Sequence, residues 1–438
     1  MRVSSLRAII FVILATLLAY ANSLPNDFVW DDETLIKDNS HIRNATYFAT
    51  IFTSDLAHQS HAGTAYYRPL QTVTYWMDYQ LWGLNPTGYH LTNLLLHALC
   101  AVLVFFTVRH FTDQPVVPLA VALLFAVHPL NTSAVTYIAG RADSLALAGM
   151  LGAFLLHQHY RAAPGRSVLY FIAALLGYVA ALFSRESAML FPALLLVAGG
   201  RPYRRAVPFL ILLGAFLLWR HAVIQLLDKP LVAPWDVSLA QRLEIFCRSI
   251  ATYLSLLFWP VHLQMDRSVV HASHGLTLAG ILGLLALGAA YRLGNRSVRL
   301  GLAWFAVALL PMTGLLNLVA TVAEHWLYVP MIGFYFALAS LVPWRKTTGC
   351  AAVLILVGLM RRVKIPLPDG VSLSFLPPFH AAVNAIAAVV LVALVVLIAS
   401  TLRESHAPMP EQKRIAAGPF VYRDGEQVTL PDFCPLRY

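Results

Sequence analysis

The chain has 438 residues, of which 59% are hydrophobic and 12% charged, and its mean hydropathy is +0.67. Ordinary soluble domains carry about a quarter charged residues, so this composition excludes a water-soluble fold and makes the bilayer the solvent. The net charge of +10 does not point to a nucleic-acid partner, because Lys and Arg fall in short clusters between apolar runs, as membrane orientation requires.

The first apolar run, 6–21, follows Arg2 and Arg7 and ends in Ala19-Tyr20-Ala21, which resembles a signal-peptidase site. The string of later runs makes an uncleaved signal-anchor the simpler expectation. A polar segment, 22–88, follows with the densest acidic cluster of the chain. Further apolar runs cover 89–108, 116–127, 144–157, 168–183, 189–198, 206–223, 245–261, 276–291, 300–318, 326–342, 349–360 and 381–402. The expected fold is therefore all-α, a polytopic transmembrane helical bundle of about 12 to 13 hydrophobic segments, since spans need roughly 20 apolar residues and open sheet edges are unsatisfied in lipid. The expected division is a membrane module over 1–360 that includes the outer loop 22–88, a connector and last span over 361–402, and a polar tail over 403–438. No repeat of about 20 to 50 residues is visible. The four cysteines show neither disulfide nor metal spacing.

Placing the N-terminus in the cytoplasm puts Arg109, Arg161/Arg166, Arg201/Arg204/Arg205, Arg292/Arg296/Arg299 and Arg345/Lys346 inside, as the positive-inside rule asks. The 22–88 loop is then outside. The count closes only if one run between 206 and 261 does not cross, and 245–261 is expected to be interfacial or re-entrant. Arg361, Arg362 and Lys364 are left outside by this count and have no account.

Ionisable residues near spans are costly and mark function by default. Here they collect at the outer ends: Asp31, Asp32 and Glu33, then Arg68, His128, Arg141 and Asp143, Arg185 and Glu186, and Glu324 with His325. Three adjacent carboxylates repel one another, which keeps one basic enough to take a proton or lets the set gather a cation or a sugar. The plainer alternative is an acidic helix start. Arg68 lies between aromatics and a helix-starting proline, and a guanidinium fork suits a phosphate, or a structural ion pair with the acidic cluster. Arg141 is expected to face the cavity while Asp143 caps the next helix. Arg185 and Glu186 join two runs, the second short, with a local ion pair as the alternative. His128 closes a span, where a satisfied core histidine is the commoner case. His58 and His61 have helical spacing that could bind a metal. The sequons at Asn44, Asn131 and Asn295 are short enough to arise by chance.

The order of these motifs resembles the GT-C superfamily of polyprenyl-phosphate-sugar-dependent glycosyltransferases, most closely the membrane module of the tetratricopeptide-containing O-mannosyltransferases and their bacterial relatives. The matching text runs from Asn22-Ser23-Leu24 and Phe28-Val29-Trp30-Asp31-Asp32 through Ile51-Phe52 to Asp55, Tyr67-Arg68-Pro69-Leu70, Gly83-Leu84-Asn85-Pro86 and Tyr89-His90-Leu91-Thr92-Asn93 to His97. It continues with Leu124-Phe125-Ala126-Val127-His128-Pro129, Gly140-Arg141-Ala142-Asp143, Arg185-Glu186 and Ala323-Glu324-His325-Trp326-Leu327-Tyr328-Val329-Pro330. Two departures stand out: Glu324-His325 where the family pattern looks like Glu-Arg, and Arg185-Glu186 where it often has Lys-Glu. After about residue 359 the resemblance fades.

The resemblance implies a sugar, such as mannose, carried on polyprenyl phosphate and transferred with inversion to an acceptor hydroxyl at the outer face. Asp31 or Asp32 is then the expected base. Arg68, Arg141, Arg185 and His325 are the expected donor-phosphate ligands, with Glu33, His128, Asp143, Glu186, Glu324 and Tyr328 in support. No cofactor is expected; a divalent-metal variant would reveal itself by loss of activity with chelator. The expected partners are the lipid-linked sugar, membrane lipids and an acceptor that is protein, lipid or glycan, with no nucleic acid. The competing classes are a lipid-linked-substrate transporter or flippase, which should place ionisable groups near the midplane with internal repeats, and a non-catalytic membrane partner. Ala, Leu and Arg usage points to a bacterial inner membrane with the site facing the periplasm.

Overall fold

The computed structural model describes residues 5–54, 56, 66–162, 167–199, 203–225, 237–260, 263–316, 318 and 320–342, together with 420–423 and 426–429. Its helices in chain order are α1 (Ser5–Tyr20), α2 (Pro69–Trp82), α3 (Pro86–Phe111), α4 (Val117–Val127), α5 (Thr132–Val135), α6 (Arg141–Ala162), α7 (Ser167–Leu182), α8 (Phe191–Gly199), α9 (Val207–Gln225), α10 (Leu239–Phe258), α11 (His274–Leu293), α12 (Arg296–Leu309) and α13 (Pro330–Leu341). Strand β1 (Asp266–Arg267) pairs antiparallel with β2 (Val322–Ala323), and β3 (Phe420–Arg423) pairs antiparallel with β4 (Glu426–Thr429). The fold is an all-α bundle of the membrane type.

Among the described residues, four helical segments are long and apolar enough to cross a bilayer: Ser5–Ser23, Pro86–Phe111, Ile138–Tyr160 and His274–Leu293. A fifth comes from Val117–Val127 with Pro129–Val135, bent by 51° at His128. The proline supplies the bend, since its ring cannot continue the hydrogen-bond ladder. Val168–Leu182, Glu186–Ala198, Val207–Val223 and Pro330–Leu341 are apolar but shorter. The runs at 349–360 and 381–402 lie outside the described residues. The run at 245–261 forms most of α10, whose sequence includes Arg242, Glu244 and Arg248; it is not among the candidate crossings by length and composition.

Helices α3, α4, α6 and α13 pack around one large apolar core, with α1 against α3 and α4. Short turns and α2 fill the outer loop, and Phe28, Leu35, Ile36, Ile42, Tyr75 and Tyr89 form a smaller core beneath it. Asn85 caps α3 by accepting from the Thr87 amide at 3.2 Å, and Pro86 begins that helix where no amide donor is needed. The described part of the 22–88 loop is thus clamped onto one end of the bundle.

Helices α12 and α13 cross through two glycines. A Cβ on Gly301 would sit 2.6 Å from the Gly333 carbonyl oxygen, and one on Gly333 would sit 2.5 Å from that of Gly301. Small residues permit such close backbone approach between membrane helices. Gly333→Val should therefore force the two helices apart and destabilise the protein by about 1–3 kcal/mol. Gly288→Val, where a Cβ would have nothing within 4 Å, should leave the unfolding midpoint in detergent unchanged; equal midpoints for the two variants would contradict this packing.

Candidate functional site

The three carboxylates of the acidic motif diverge. The Asp32 amide donates to the Val29 carbonyl at 3.0 Å and the Glu33 amide to that of Trp30 at 3.1 Å, which closes a tight turn. That turn drives the Asp32 side chain inward, with no exposed surface, and leaves Asp31 and Glu33 in solvent. Glu33 pairs with Lys37 at 3.5 Å. Asp32 accepts from the Ala139 amide at 2.7 Å and the Val29 amide at 3.2 Å, so it ties the loop to the turn before α6. Burial pushes its carboxyl up to about 6, outweighing the lowering from the two amides and Arg141, and Asp31 adds to the rise. A carboxylate near that value is a competent base close to neutral pH.

Two phenols feel the charge of Asp32. Tyr75 on α2 accepts from Gln71 at 2.7 Å, and the same amide group reaches the Ala139 carbonyl at 2.8 Å. Burial raises the Tyr75 hydroxyl's pKa; Asp32 adds to the rise, while Arg141 and Arg68 oppose it. Tyr75 thus lies in the fields of both the acidic and the basic groups. Tyr137 is raised by burial first and then by Asp31 and Asp32.

The basic groups meet through crossed ion pairs. Arg68 places Nε and Nη2 on Glu186 Oε2 at 3.1 and 2.7 Å, and its guanidinium lies 4.5 Å over Tyr66. Arg185 Nη1 donates to Asp143 Oδ2 at 2.8 Å. The Leu70 amide donates to the Phe183 carbonyl at 3.0 Å, which fastens the start of α2 to the end of α7 and brings Arg68 beside Arg185. The pairing differs from the local Arg185–Glu186 pair and from the pairing of Arg68 with the acidic cluster that the sequence offered as alternatives. Burial works against the Arg68 charge, but Glu186 outweighs it and raises Arg68 above its ordinary value. Burial, with Arg68 adding, lowers Arg185 although Asp143 opposes. His325 is held well below its usual value by burial and then by Arg185 and Arg68, so its ring is neutral at pH 7.

Five expected site residues are held by partners within the protein. Arg141 has no exposed surface and does not face open space. It pairs with Asp78 at 2.6 Å, donates to Asn93 Oδ1 at 2.8 Å, Thr74 Oγ1 at 3.3 Å and the Tyr89 carbonyl at 3.1 Å, and lies 4.7 Å over the Tyr75 ring. Its donors are used in joining α2, α3 and α6, which makes it a positioning residue rather than a phosphate ligand. His128 caps the bend after α4: Nδ1 accepts from the Leu130 amide at 3.1 Å, which leaves Nε2 to donate to the Leu257 carbonyl at 3.4 Å. Tyr328 is buried against His97 Nδ1 at 2.7 Å and Ser144 Oγ at 3.0 Å. Glu324 accepts from the Gln264 amide at 2.7 Å and Arg267 Nη2 at 2.6 Å, so with the β1–β2 pairing it fixes the strand that leads into His325. Asp143, expected as a helix cap, serves as the partner of Arg185.

Sequence reasoning missed Asp78, Arg267, Tyr75 and Tyr137. Asp78 had a signal, being the sole acid in the apolar helix Pro69–Trp82. No group of three or more His, Cys, Asp or Glu side chains suited to a metal ion occurs among the described residues, and His58 and His61 lie outside them.

No family model and no solved structure matches the chain. It is similar to "Protein O-mannosyl-transferase TMTC3" of Homo sapiens, 34% identical over 172 residues, which are 38% of this chain and 18% of that protein. It is 26% identical over 353 residues to "Protein O-mannosyl-transferase F38B6.6" of Caenorhabditis elegans, covering 76% of this chain and 51% of the relative. Human "Protein O-mannosyl-transferase TMTC1" is 38% identical over 153 residues, or 33% of this chain and 17% of the relative. The chain thus spans from under a fifth to about half the length of these relatives. The resemblance to O-mannosyltransferases carried by the motifs is borne out. These relatives are animal proteins, and the bacterial inner-membrane placement gains no support from them.

Because Arg141 and Asp78 are both buried, Asp78→Asn leaves a guanidinium without its counter-charge. The expected loss is about 3–5 kcal/mol of stability, read as a lower unfolding midpoint in detergent. Addition of Arg141→Met to the same chain should recover part of that loss. A midpoint unmoved by Asp78→Asn would contradict the positioning role.

Proposed function

We propose that this protein is a membrane glycosyltransferase that moves one mannosyl unit from a polyprenyl-phosphate carrier to a protein hydroxyl at the non-cytoplasmic face, with inversion. The observation that carries the reading is the arrangement of charge at one end of the bundle. Buried Asp32 and Arg68 both act on the Tyr75 hydroxyl, and Arg68 acts together with Arg185 on a neutral His325. The names of the relatives supply the sugar and the acceptor class.

A guanidinium offers five N–H donors. The ion pairs use two on Arg68 and one on Arg185, which leaves donors for a phosphate. Arg68 and Arg185 would take the donor phosphate by charge-assisted hydrogen bonds, and His325 would donate a neutral N–H to it. Asp32 would accept the proton of the acceptor hydroxyl as its oxygen attacks the anomeric carbon from the face opposite the phosphate. The bond from anomeric carbon to phosphate oxygen breaks, its electron pair leaves with polyprenyl phosphate, and the two arginines stabilise the charge that develops there. One displacement with one base inverts the anomeric centre. Asp31, exposed beside Asp32, would orient the incoming hydroxyl.

Vesicles carrying the protein, supplied with radiolabelled polyprenyl-phosphate mannose and an acceptor peptide, test this reading. Asp32→Asn should lower transfer by about 10²- to 10⁴-fold, the scale of general-base catalysis, whereas Arg68→Ala should chiefly raise the KM for the donor. A base pushed up to about 6 is half protonated at that pH, so kcat/KM for the acceptor should fall as pH drops through about 6 and level off above it. Full transfer by Asp32→Asn would remove the proposal.

A further inference from the structure

Helix α2 has its amphipathic pattern reversed. Its polar residues Gln71, Tyr75 and Asp78 are buried against the protein, where Asp78 answers Arg141. The opposite face carries Leu70, Val73, Met77 and Leu81, which follow one another at the i, i+3, i+7 and i+11 spacing of a single helical stripe. Met77 is 51% and Leu81 69% exposed. Asp78 is the sole charged residue of the helix, so the outward face carries no charge at all. A helix facing water has the opposite arrangement, with charge outside and apolar side chains turned in. The 14 residues of α2 extend about 21 Å, and the helix is not among the candidate crossings or the shorter apolar helices.

The exposed stripe continues onto a span. Trp82 ends α2 and lays its ring over Gly88 in the first turn of α3, where a Cβ would collide with it. Gly88, Leu95 and Leu99 share one face of α3 at i, i+7 and i+11, and both leucines are exposed on that candidate crossing. Leu84, in the turn between the two helices, is exposed as well. The apolar face of the span therefore runs without interruption into that of α2.

We propose that α2 lies in the plane of the membrane interface, with Leu70, Val73, Met77, Leu81 and Trp82 seated at the boundary of lipid headgroups and acyl chains. The partner is the bilayer itself. A helix with one apolar face and too little hydropathy to cross takes this position, and a tryptophan at the start of a span favours the headgroup level. Continuity with the exposed face of α3 fixes the occupant as lipid, because the same bilayer that covers Leu95 and Leu99 reaches Trp82. Arg68 stands at the N-terminal boundary of α2, so the docked helix carries its guanidinium at headgroup depth, where a lipid phosphate lies. This last step rests on the glycosyltransferase reading, in which Arg68 takes the donor phosphate.

The experiment places the full chain in nanodiscs with a bimane probe on Met77→Cys or, for comparison, on Asp38→Cys at an exposed loop position, after the four native cysteines are changed to Ala. Lipids brominated in the upper acyl chain should quench the Met77 probe about threefold more than the Asp38 probe, and aqueous iodide should show the opposite order. Equal quenching of the two probes by iodide overturns the proposal. Protection of the Met77 probe from both quenchers overturns it too, since a second copy, another protein or another segment of the chain seated on the stripe would give that result. Met77→Asp combined with Leu81→Asp in the native chain should raise the donor KM about tenfold and affect it more than kcat, and the apolar pair Met77→Leu with Leu81→Met should restore it. An unchanged donor KM in the aspartate variant overturns the placing of Arg68 by the bilayer. Lipid quenching of the Met77 probe in a protein that transfers no mannose would uphold the docked helix and remove the glycosyltransferase reading instead.

Discussion

A guanidinium with no exposed surface has to be answered entirely by its surroundings, and the placement of Arg141 organises one end of this bundle. It faces Asp78 on α2, Asn93 and the Tyr89 carbonyl on α3, and the Tyr75 ring, from its own position at the start of α6. Stripping a charge of water costs several kcal/mol unless partners of good geometry replace it, so these three helices hold one arrangement. Two residues before Arg141, the Ala139 amide binds Asp32. One buried cation therefore stabilises the platform on which the inward carboxylate rests.

A second pair of interactions works in the same way on the other side. Arg68 precedes α2 and reaches Glu186 before α8, while Arg185 reaches back to Asp143 on α6. Because the pairs cross, neither arginine can move without disturbing a carboxylate of a different helix. Both remain partly accessible, with side chains 11% and 13% exposed, whereas Arg141 has none. That difference separates the two arginines proposed to take phosphate from the one that supports them. The neutral state of His325 follows from its burial first and then from Arg185 and Arg68, beside which a third positive charge is unfavourable.

Much of this was legible in the chain itself. Apolar runs gave the helices because span length is set by the bilayer, and the ionisable residues stand out because they flank those runs. Asp31-Asp32, Arg68 and Arg185-Glu186 could be singled out as polar residues standing next to apolar runs. Which carboxylate answers which arginine could not, because the partners are distant in sequence: Arg68 and Glu186 are brought together by the α2 to α7 contact, and Arg141 and Asp78 by the packing of α2 against α6. His128 was ambiguous for a related reason. Only the bend at Pro129 shows that its ring is occupied with the backbone it caps. The inward turn of Asp32 and the outward turn of its neighbours depend on the positive φ at Trp30, and tryptophan carries no sequence signal for that conformation.

The central claim is that the inward carboxylate and the accessible arginines face a single lipid-phosphate sugar. The most direct measurement is an experimental structure of the full chain with a non-cleavable phosphonate analogue of polyprenyl-phosphate mannose. The account predicts phosphonate oxygens within hydrogen-bond distance of Arg68 and Arg185, with the open face of the anomeric carbon turned toward Asp32. A phosphonate bound away from both arginines, or a sugar whose open face points away from Asp32, would contradict it.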